Sequence, residues 1–271
     1  MSQKRQHPFL DSRGDPSSEL TTLSYDFPAG YALAKHFHEE DQLVFASSGV
    51  MTIHTGEGVW IVPPQRAVWI PATVVHSINM SGAVSMRTLY FAANFIKKVP
   101  NTCFVINVSP LLRELILHAC DFAKLSTKVP FERKIIEIIV DQVKASKAVP
   151  LQLPSPSDSR AVRVAEILLA DPSDQRALEE LCKDCGASKR TIERLFQSET
   201  NLTFGKWRQQ LRLLHGLRLL ASGTKVTAAA LEAGYNSPSA FISAFRKTLG
   251  LTPGRYYERG VVVNSGTRPK I

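Results

Sequence analysis

Two stretches near the end of this 271-residue chain repeat one another and leave little freedom in how that half can fold. Ser188-Lys-Arg-Thr-Ile-Glu-Arg-Leu-Phe196 lies over Ser237-Pro-Ser-Ala-Phe-Ile-Ser-Ala-Phe245 at an offset of 49 residues. Both carry Ser first, an apolar residue at the fifth place, a small or apolar one at the eighth and Phe at the ninth. Asn201-Leu-Thr203 over Gly250-Leu-Thr252 keeps the offset of 49, and upstream Gly186 lies over Gly234 at 48. In each unit a short helix, over about 178–184 or 227–233, ends at a glycine that tolerates a left-handed C′ conformation. A serine then caps a second helix. In the second unit Pro238 occupies the first helical position, where a missing N–H is harmless. Asn201 and Gly250 can end the second helices with positive φ. Helix, glycine turn, helix is the pattern of a helix-turn-helix, here present twice.

Between the units, Phe204, Trp207, Leu211, Leu214 and Leu217 recur along one face of a helix over 204–222. Nineteen residues at about 1.5 Å each span roughly 28 Å, enough to hold two recognition helices about one DNA turn, roughly 34 Å, apart. Charge supports a polyanionic partner. Residues 160–271 hold 18 Lys+Arg against 10 Asp+Glu, so they carry nearly all of the net +9. The C-x-x-C pair Cys182 and Cys185 falls over Ala230 and Ala233. With no second Cys pair, it reads as small buried packing positions rather than as zinc ligands.

The front half is different. Short segments rich in Val, Ile and aromatics (43–46, 50–55, 59–62, 68–70, 86–91) are separated by Gly and Pro, which predicts a sandwich or barrel. Two amphipathic helices follow, one through Leu111–Ala119 and one through Phe131–Val143. Residues 149–159 hold three prolines and no helical period, which predicts a stiffened linker. No apolar run approaches a membrane span, and the N-terminus has no signal-peptide h-region, so a cytoplasmic protein without a membrane partner is expected.

The stretch from about Arg160 to Tyr257 resembles the AraC/XylS-type DNA-binding domain. The match rests on Arg190–Phe196, Trp207–Arg212, Gly234–Arg246 and Leu249-Gly-Leu-Thr-Pro253 with Tyr256. The resemblance implies that Ser188–Phe196 and Ser237–Phe245 are recognition helices capped by Ser188 and Ser237. The groove-facing positions would be Arg190, Glu193 and Arg194 in the first, and Pro238, Ser239, Ile242 and Ser243 in the second. Lys189, Lys206, Arg246 and Lys247 are candidate phosphate contacts. Arg suits guanine and Glu suits cytosine, although Glu193 can equally be an exposed residue that meets no base.

The front half resembles a cupin, on Gly30-x5-His36-x-His38-x3-Gln42-x6-Gly49 and on Pro71-x-Thr73-x2-His76. Gln42 stands where cupin enzymes carry a glutamate, and Thr73 where glycine is usual. In those enzymes three histidines and the glutamate bind a divalent metal. Here His36, His38 and His76 are the candidate ligands for a Zn, Ni or Fe ion, or else polar groups lining an effector pocket with Gln42, Trp60, Arg66 and Trp69. No cofactor is certain from sequence.

The expected fold is α+β with two domains, an N-terminal cupin-like β-barrel with following helices and a C-terminal all-α double helix-turn-helix. The expected divisions are a flexible tail 1–19, a sensor barrel 20–100, a helical dimerisation or packing segment 101–148, a linker 149–159, the DNA-binding domain 160–260 and a flexible tail 261–271. The expected function is a non-enzymatic, sequence-specific transcriptional regulator, activator or repressor, controlled by a small-molecule effector. By family analogy its target would be a neighbouring transporter or catabolic gene. Double-stranded DNA, the effector, RNA polymerase and a second copy of the chain are its expected partners. The alternatives are a metal-dependent cupin enzyme fused to a DNA-binding domain and a non-specific nucleic-acid binder.

Overall fold

The computed structural model describes residues 18–146, 148–149 and 151–260, with the side chains of 257–260 left aside. The tail expected over 261–271, and nearly all of that over 1–19, lies outside these residues. Ser18 and Glu19 are anchored: Ser18 Oγ donates to Leu125 O, and the Glu19 carboxylate accepts from the Thr127 N–H (3.0 Å) and hydroxyl (2.6 Å). Those bonds hold the Glu19 carboxyl at about 2, below the usual range.

Among the described residues, ten strands form one antiparallel sheet. They are β1 (Leu20–Phe27), β2 (Ala32–His36), β3 (Asp41–Thr55), β4 (Gly58–Val62), β5 (Arg66–Ile70), β6 (His76–Phe91), β7 (Phe104–Asn107), β8 (Lys124–Leu125), β9 (Ala148–Val149) and β10 (Gln152–Pro154). The long strands β3 and β6 pair along their length, with register shifts between Ala46 and Val50. On either side of that bulge each strand takes different partners. The first part of β3 pairs with β5 and its second with β4, while β6 pairs with β2 and then β1. A bulge bends and twists a strand, and here it curls the sheet around an interior.

Strand alternation sends Val44, Ala46, Val68, Ile70 and Met86 to that interior, and Leu43, Phe45, Ala67, Trp69, Leu89 and Phe91 to the other face. The helices α1 (Pro110–Ala119) and α2 (Pro130–Ala145) cover this second face with Leu112, Ile116, Ile135 and Ile139. The proline-rich stretch 149–159 is written partly into the sheet: β9 pairs with β7 and β10 with β4, burying Leu151 and Leu153.

The second half holds α3 (Ser159–Ala170), α4 (Leu178–Lys183), α5 (Lys189–Thr200), α6 (Phe204–Ala221), α7 (Val226–Glu232), α8 (Pro238–Leu249) and α9 (Pro253–Gly260). The duplicated logic is present in full. Ser188 Oγ accepts from Thr191 N and Ser237 Oγ from Ala240 N, both at 3.2 Å. Gly186 and Gly234 take φ of 67° and 82° in the two turns. Ile192, Leu195, Phe196, Phe241 and Phe245 are buried, as are Cys182, Cys185, Ala230 and Ala233. The cysteines are free thiols, and burial pushes the Cys182 thiol up to about 11. An inert thiol of that kind suits packing rather than redox chemistry.

Candidate DNA interface and sensor pocket

The helix α5 presents Lys189, Arg190, Glu193 and Arg194 on its outer face, with Ser188 exposed at its cap. Burial of Ile192, Leu195 and Phe196 forces this, because those residues take the inner stripe of the same helix. On α8, Ser239, Ser243, Arg246 and Lys247 are exposed, while Ser237, Pro238 and Ile242 are half-buried. Ser239, Ile242, Ser243, Arg246 and Lys247 line one open groove. Lys206 of α6 and Lys247 line a second, between α6 and α8. Every DNA-contact candidate on these helices therefore reaches the surface at least in part. They differ in state. Lys189 Nζ is 2.7 Å from Glu179 Oε1, so it would have to share or exchange that partner to meet a phosphate. Arg194 lies close enough to Asp158 to help lower that carboxyl, whose chief cause is the hydrogen bond from Arg160.

The pocket forms where β2, β3 and β6 meet. Cross-strand register puts His36 opposite His76, and His38 follows just past the end of β2, where its carbonyl accepts from the Thr73 N–H at 2.7 Å. The ligand atoms of His36, His38 and His76 all lie within 4.8 Å of one another. Ring centroids are 4.9 Å apart for His36 and His38, 4.3 Å for His36 and His76, and 5.5 Å for His38 and His76. Backbone carbonyls orient two of the rings. His36 Nδ1 lies 2.7 Å from Ala34 O, and His76 Nδ1 lies 2.9 Å from Val74 O. Those bonds assign the Nδ1 protons and leave Nε2 as the lone-pair atom.

Three polar atoms here are buried without a partner: His38 Nε2, His76 Nε2 and Gln42 Oε1. Such orphans are uncommon and ask for an explanation. Burial, reinforced by the neighbouring imidazoles, pushes His38 down to about 3; burial likewise brings His76 to about 4. All of this favours neutral imidazoles with available lone pairs at neutral pH, the form that binds a metal. The donor set fits a nitrogen-rich divalent ion. Metal–nitrogen bonds of about 2.0–2.1 Å would draw the rings somewhat closer together.

Beside His36, Gln42 and Tyr90 a cavity opens that is walled mainly by Leu23, Phe27, Leu33, Ile78 and Met86. It is narrow, with room for roughly one water molecule. A larger ligand must displace side chains.

Two of the remaining pocket candidates, Trp69 and Arg66, face away from this site, while Trp60 stays in the interior cluster. Trp69 sits on the opposite face of the sheet, 5.8 Å from Phe91 and 6.5 Å from Phe104, because alternation on β5 gives the interior to Val68 and Ile70. The Arg66 guanidinium lies 5.8 Å over the Tyr256 ring, toward the second half of the chain. Trp60 is buried on β4 and donates Nε1–H to Thr55 Oγ1 at 3.2 Å.

Residues 21–137 match the family model described as an AraC-like ligand binding domain, and residues 181–259 match one described as a helix-turn-helix domain. The HTH-type transcriptional regulator NimR of Escherichia coli (strain K12) is 35% identical over 229 residues, which cover 84% of each chain. The chain belongs to the AraC family of transcriptional regulators. It joins a ligand-binding front domain to a DNA-binding helix-turn-helix half. The HTH-type regulator RipA of Corynebacterium glutamicum is 33% identical over 117 residues, 43% of this chain and 35% of that one. The crystal structure of the DNA-binding domain of AdpA with a target DNA is 33% identical over 38% of this chain and 93% of that one, with a TM-score of 0.35. The relatives are regulators, and the cupin-enzyme alternative is not favoured. No helix among the described residues is long and apolar enough to cross a membrane.

Sequence reasoning missed two groups. Tyr90 OH accepts from Gln42 Nε2 at 3.1 Å, and the Tyr90 ring meets His38 at 4.9 Å. The cross-strand pair Gln42–Tyr90 needs sheet register that no local pattern supplies. Arg208 and Arg212, four residues apart on α6, are the second group. Arg212 Nε donates to Pro172 O at 3.2 Å and Nη2 to Asp174 O at 2.7 Å, while Arg208 Nη1 donates to Arg176 O at 2.8 Å. Gln175 Nε2 donates from the same loop to Gly234 O at 3.0 Å, bracing one helix-turn-helix turn against the approach to the other.

Proposed function

We propose that this regulator reads an operator with the outer faces of α5 and α8 under control of a ligand bound at His36, His38, Gln42 and His76. The observation that carries the reading is the set of three buried, unpartnered atoms on His38, His76 and Gln42, together with two solvent-facing recognition helices that share one capping pattern. The protein acts in the cytoplasm as a DNA-binding switch without catalysis of its own, and meets RNA polymerase at the promoter. Arg190 and Arg194 carry more of the base reading than the small side chains of α8. Arg194→Ala should cost about 1–3 kcal/mol on the preferred duplex and relax one base position. Selection from random-sequence DNA followed by titration measures both quantities. Equal binding of preferred and random duplex by wild type and variant would remove Arg194 from the interface.

The ligand is, or includes, a divalent transition metal held by His36, His38 and His76. When bound, the ion would supply an open coordination position for an oxygen or nitrogen donor of an effector. The purified chain is expected to take up zinc or nickel at about one ion per chain, and His38→Ala to lose about tenfold or more in affinity. Isothermal titration with each metal checks this. Unchanged uptake by His38→Ala would place the metal elsewhere, and no uptake by the wild type would leave a purely organic ligand in the pocket.

The chain is a homodimer through α1 and α2, where Leu111 (53%), Phe131 (60%) and Ile138 (43%) stand exposed. Phe131→Asp should raise the dimer dissociation constant by about tenfold or more, read by sedimentation equilibrium. A wild-type monomer at micromolar concentration would refute the assignment.

A further inference from the structure

The offset of 49 that relates the recognition helices also relates the aromatic residues that follow them: Trp207 of α6 becomes Tyr256 of α9. The two residues do the same things. Trp207 packs edge-on against Phe196 at 5.1 Å and 70°, and Tyr256 against Phe245 at 5.5 Å and 80°. Phe196 and Phe245 are themselves repeat partners and the inner anchors of α5 and α8. Both aromatics are buried, with 1% and 0% of their surface exposed, and both send their polar tip out of their own unit. Trp207 Nε1 donates to Pro154 O at 2.8 Å, and the Tyr256 hydroxyl donates to Pro64 O.

The two acceptors flank a single strand. Pro154 pairs with Gly58, the first residue of β4, and Pro64 follows two residues after Val62, the last. Trp60 and Ile61, between them, belong to the interior cluster of the sensor half, and Ile61 N donates to Leu151 O at 3.1 Å. A core position alone would be filled by Phe or Leu with no buried donor to satisfy. A buried indole N–H and a buried hydroxyl need partners, and here each finds one in the other half of the chain.

We infer that Trp207 and Tyr256 are equivalent positioning residues that tie the two recognition helices separately to the two ends of β4, so that one sensor strand addresses both DNA-reading units. By linkage, DNA bound at α5 and α8 must be felt at the two proline carbonyls, just as a change at β4 is felt by the helices.

The test is hydrogen–deuterium exchange on the full chain, with a duplex enriched from random-sequence DNA by the wild-type protein and a scrambled duplex as control. In wild type the enriched duplex should change exchange about twofold or more, relative to the scrambled one, at the amides of Gln65 and Arg66 and at those of Leu153 and Ser155. Tyr256→Phe keeps the ring and its contact with Phe245, so it should silence the first response and spare the second. Trp207→Phe should do the reverse. Arg66→Met, at the start of β5 where the guanidinium lies over the Tyr256 ring, should also weaken the first response alone. It carries the test together with Tyr256→Phe where Trp207→Phe is too unstable to assay. A wild type that responds at neither site overturns the inference. So do variants that erase both responses together, which is the mark of general loosening rather than two separate ties.

Discussion

Truncating Phe245 to alanine should lower the free energy of unfolding of the DNA-reading half by about 3–5 kcal/mol and weaken selective DNA binding. Phe245 is fully buried, lies 5.8 Å from Phe241 and 5.5 Å from Tyr256, and anchors α8 from the inside. A domain of this kind has a total stability of only about 5–15 kcal/mol, so the loss is a large share of the whole. Phe196, its repeat partner, sits 5.3 Å from Phe204 and 5.1 Å from Trp207, and Phe196→Ala should cost a similar amount. The two variants should differ in what DNA reports. Phe196→Ala removes the helix that carries Arg190 and Arg194, whereas Phe245→Ala removes the one that carries Ser239 and Ser243. Their footprints on an enriched duplex should therefore shrink from opposite ends. Ser243→Ala, on the exposed face of α8, should stay within about 0.5 kcal/mol of wild type. Urea unfolding measures all three. A Phe245→Ala protein that unfolds within about 1 kcal/mol of wild type would mean that this phenylalanine does not hold the helix.

The contrast between Phe245 and Ser243 is readable from the sequence, because the signals that fix the second half are local. Serine caps, turn glycines and a 3.6-residue apolar stripe act within one helical turn or two, and the 49-residue repeat states each of them twice. The same holds for Cys182 and Cys185, whose places over Ala230 and Ala233 marked them as packing positions. The front half was legible only to the level of strands. Which face a strand residue takes depends on its register with strands far away in the chain. The cupin-like motif marks His36, His38 and His76 as a set, but no local pattern shows that Trp69, one strand residue beyond the interior-facing Val68, takes the helix-covered face instead of lining a pocket. A one-residue change of parity is enough to exchange the faces. The proline-rich stretch misled in a different way. Pro154 cannot donate to a ladder and is tolerated only at a strand edge, yet Leu151 and Leu153 bury there and draw the segment onto β4. Composition shows that a segment is stiff, and only its neighbours show that it is held.

Gly30 and Gly49 both stand in the cupin-like pattern and both have positive φ, 77° and 75°, yet alanine should affect them very differently. A Cβ at Gly30 would meet nothing within 4 Å. Gly30→Ala should therefore cost only the left-handed backbone penalty, about 1–2 kcal/mol. A Cβ at Gly49 would lie 2.3 Å from Ala83 O, 2.7 Å from Val84 Cγ2 and 3.0 Å from Ala83 C. Those contacts are largely with the backbone of β6, directly across the bulge where β3 bends, so no side-chain rotation relieves them. The backbone penalty then adds to an overpacking cost of about 1–3 kcal/mol, for a total of roughly 2–5 kcal/mol. The damage should not stay local. β3 carries Gln42, and its pairing with β6 keeps Gln42 beside Tyr90, so forcing the strands apart at Gly49 should also weaken metal uptake at His36, His38 and His76. Gly30→Ala should leave that uptake at the wild-type level. Urea unfolding gives the two stabilities, and metal titration gives the two affinities. Equal destabilisation by the two alanines would show that backbone conformation alone decides the cost and that β3 and β6 can separate at the bulge without strain.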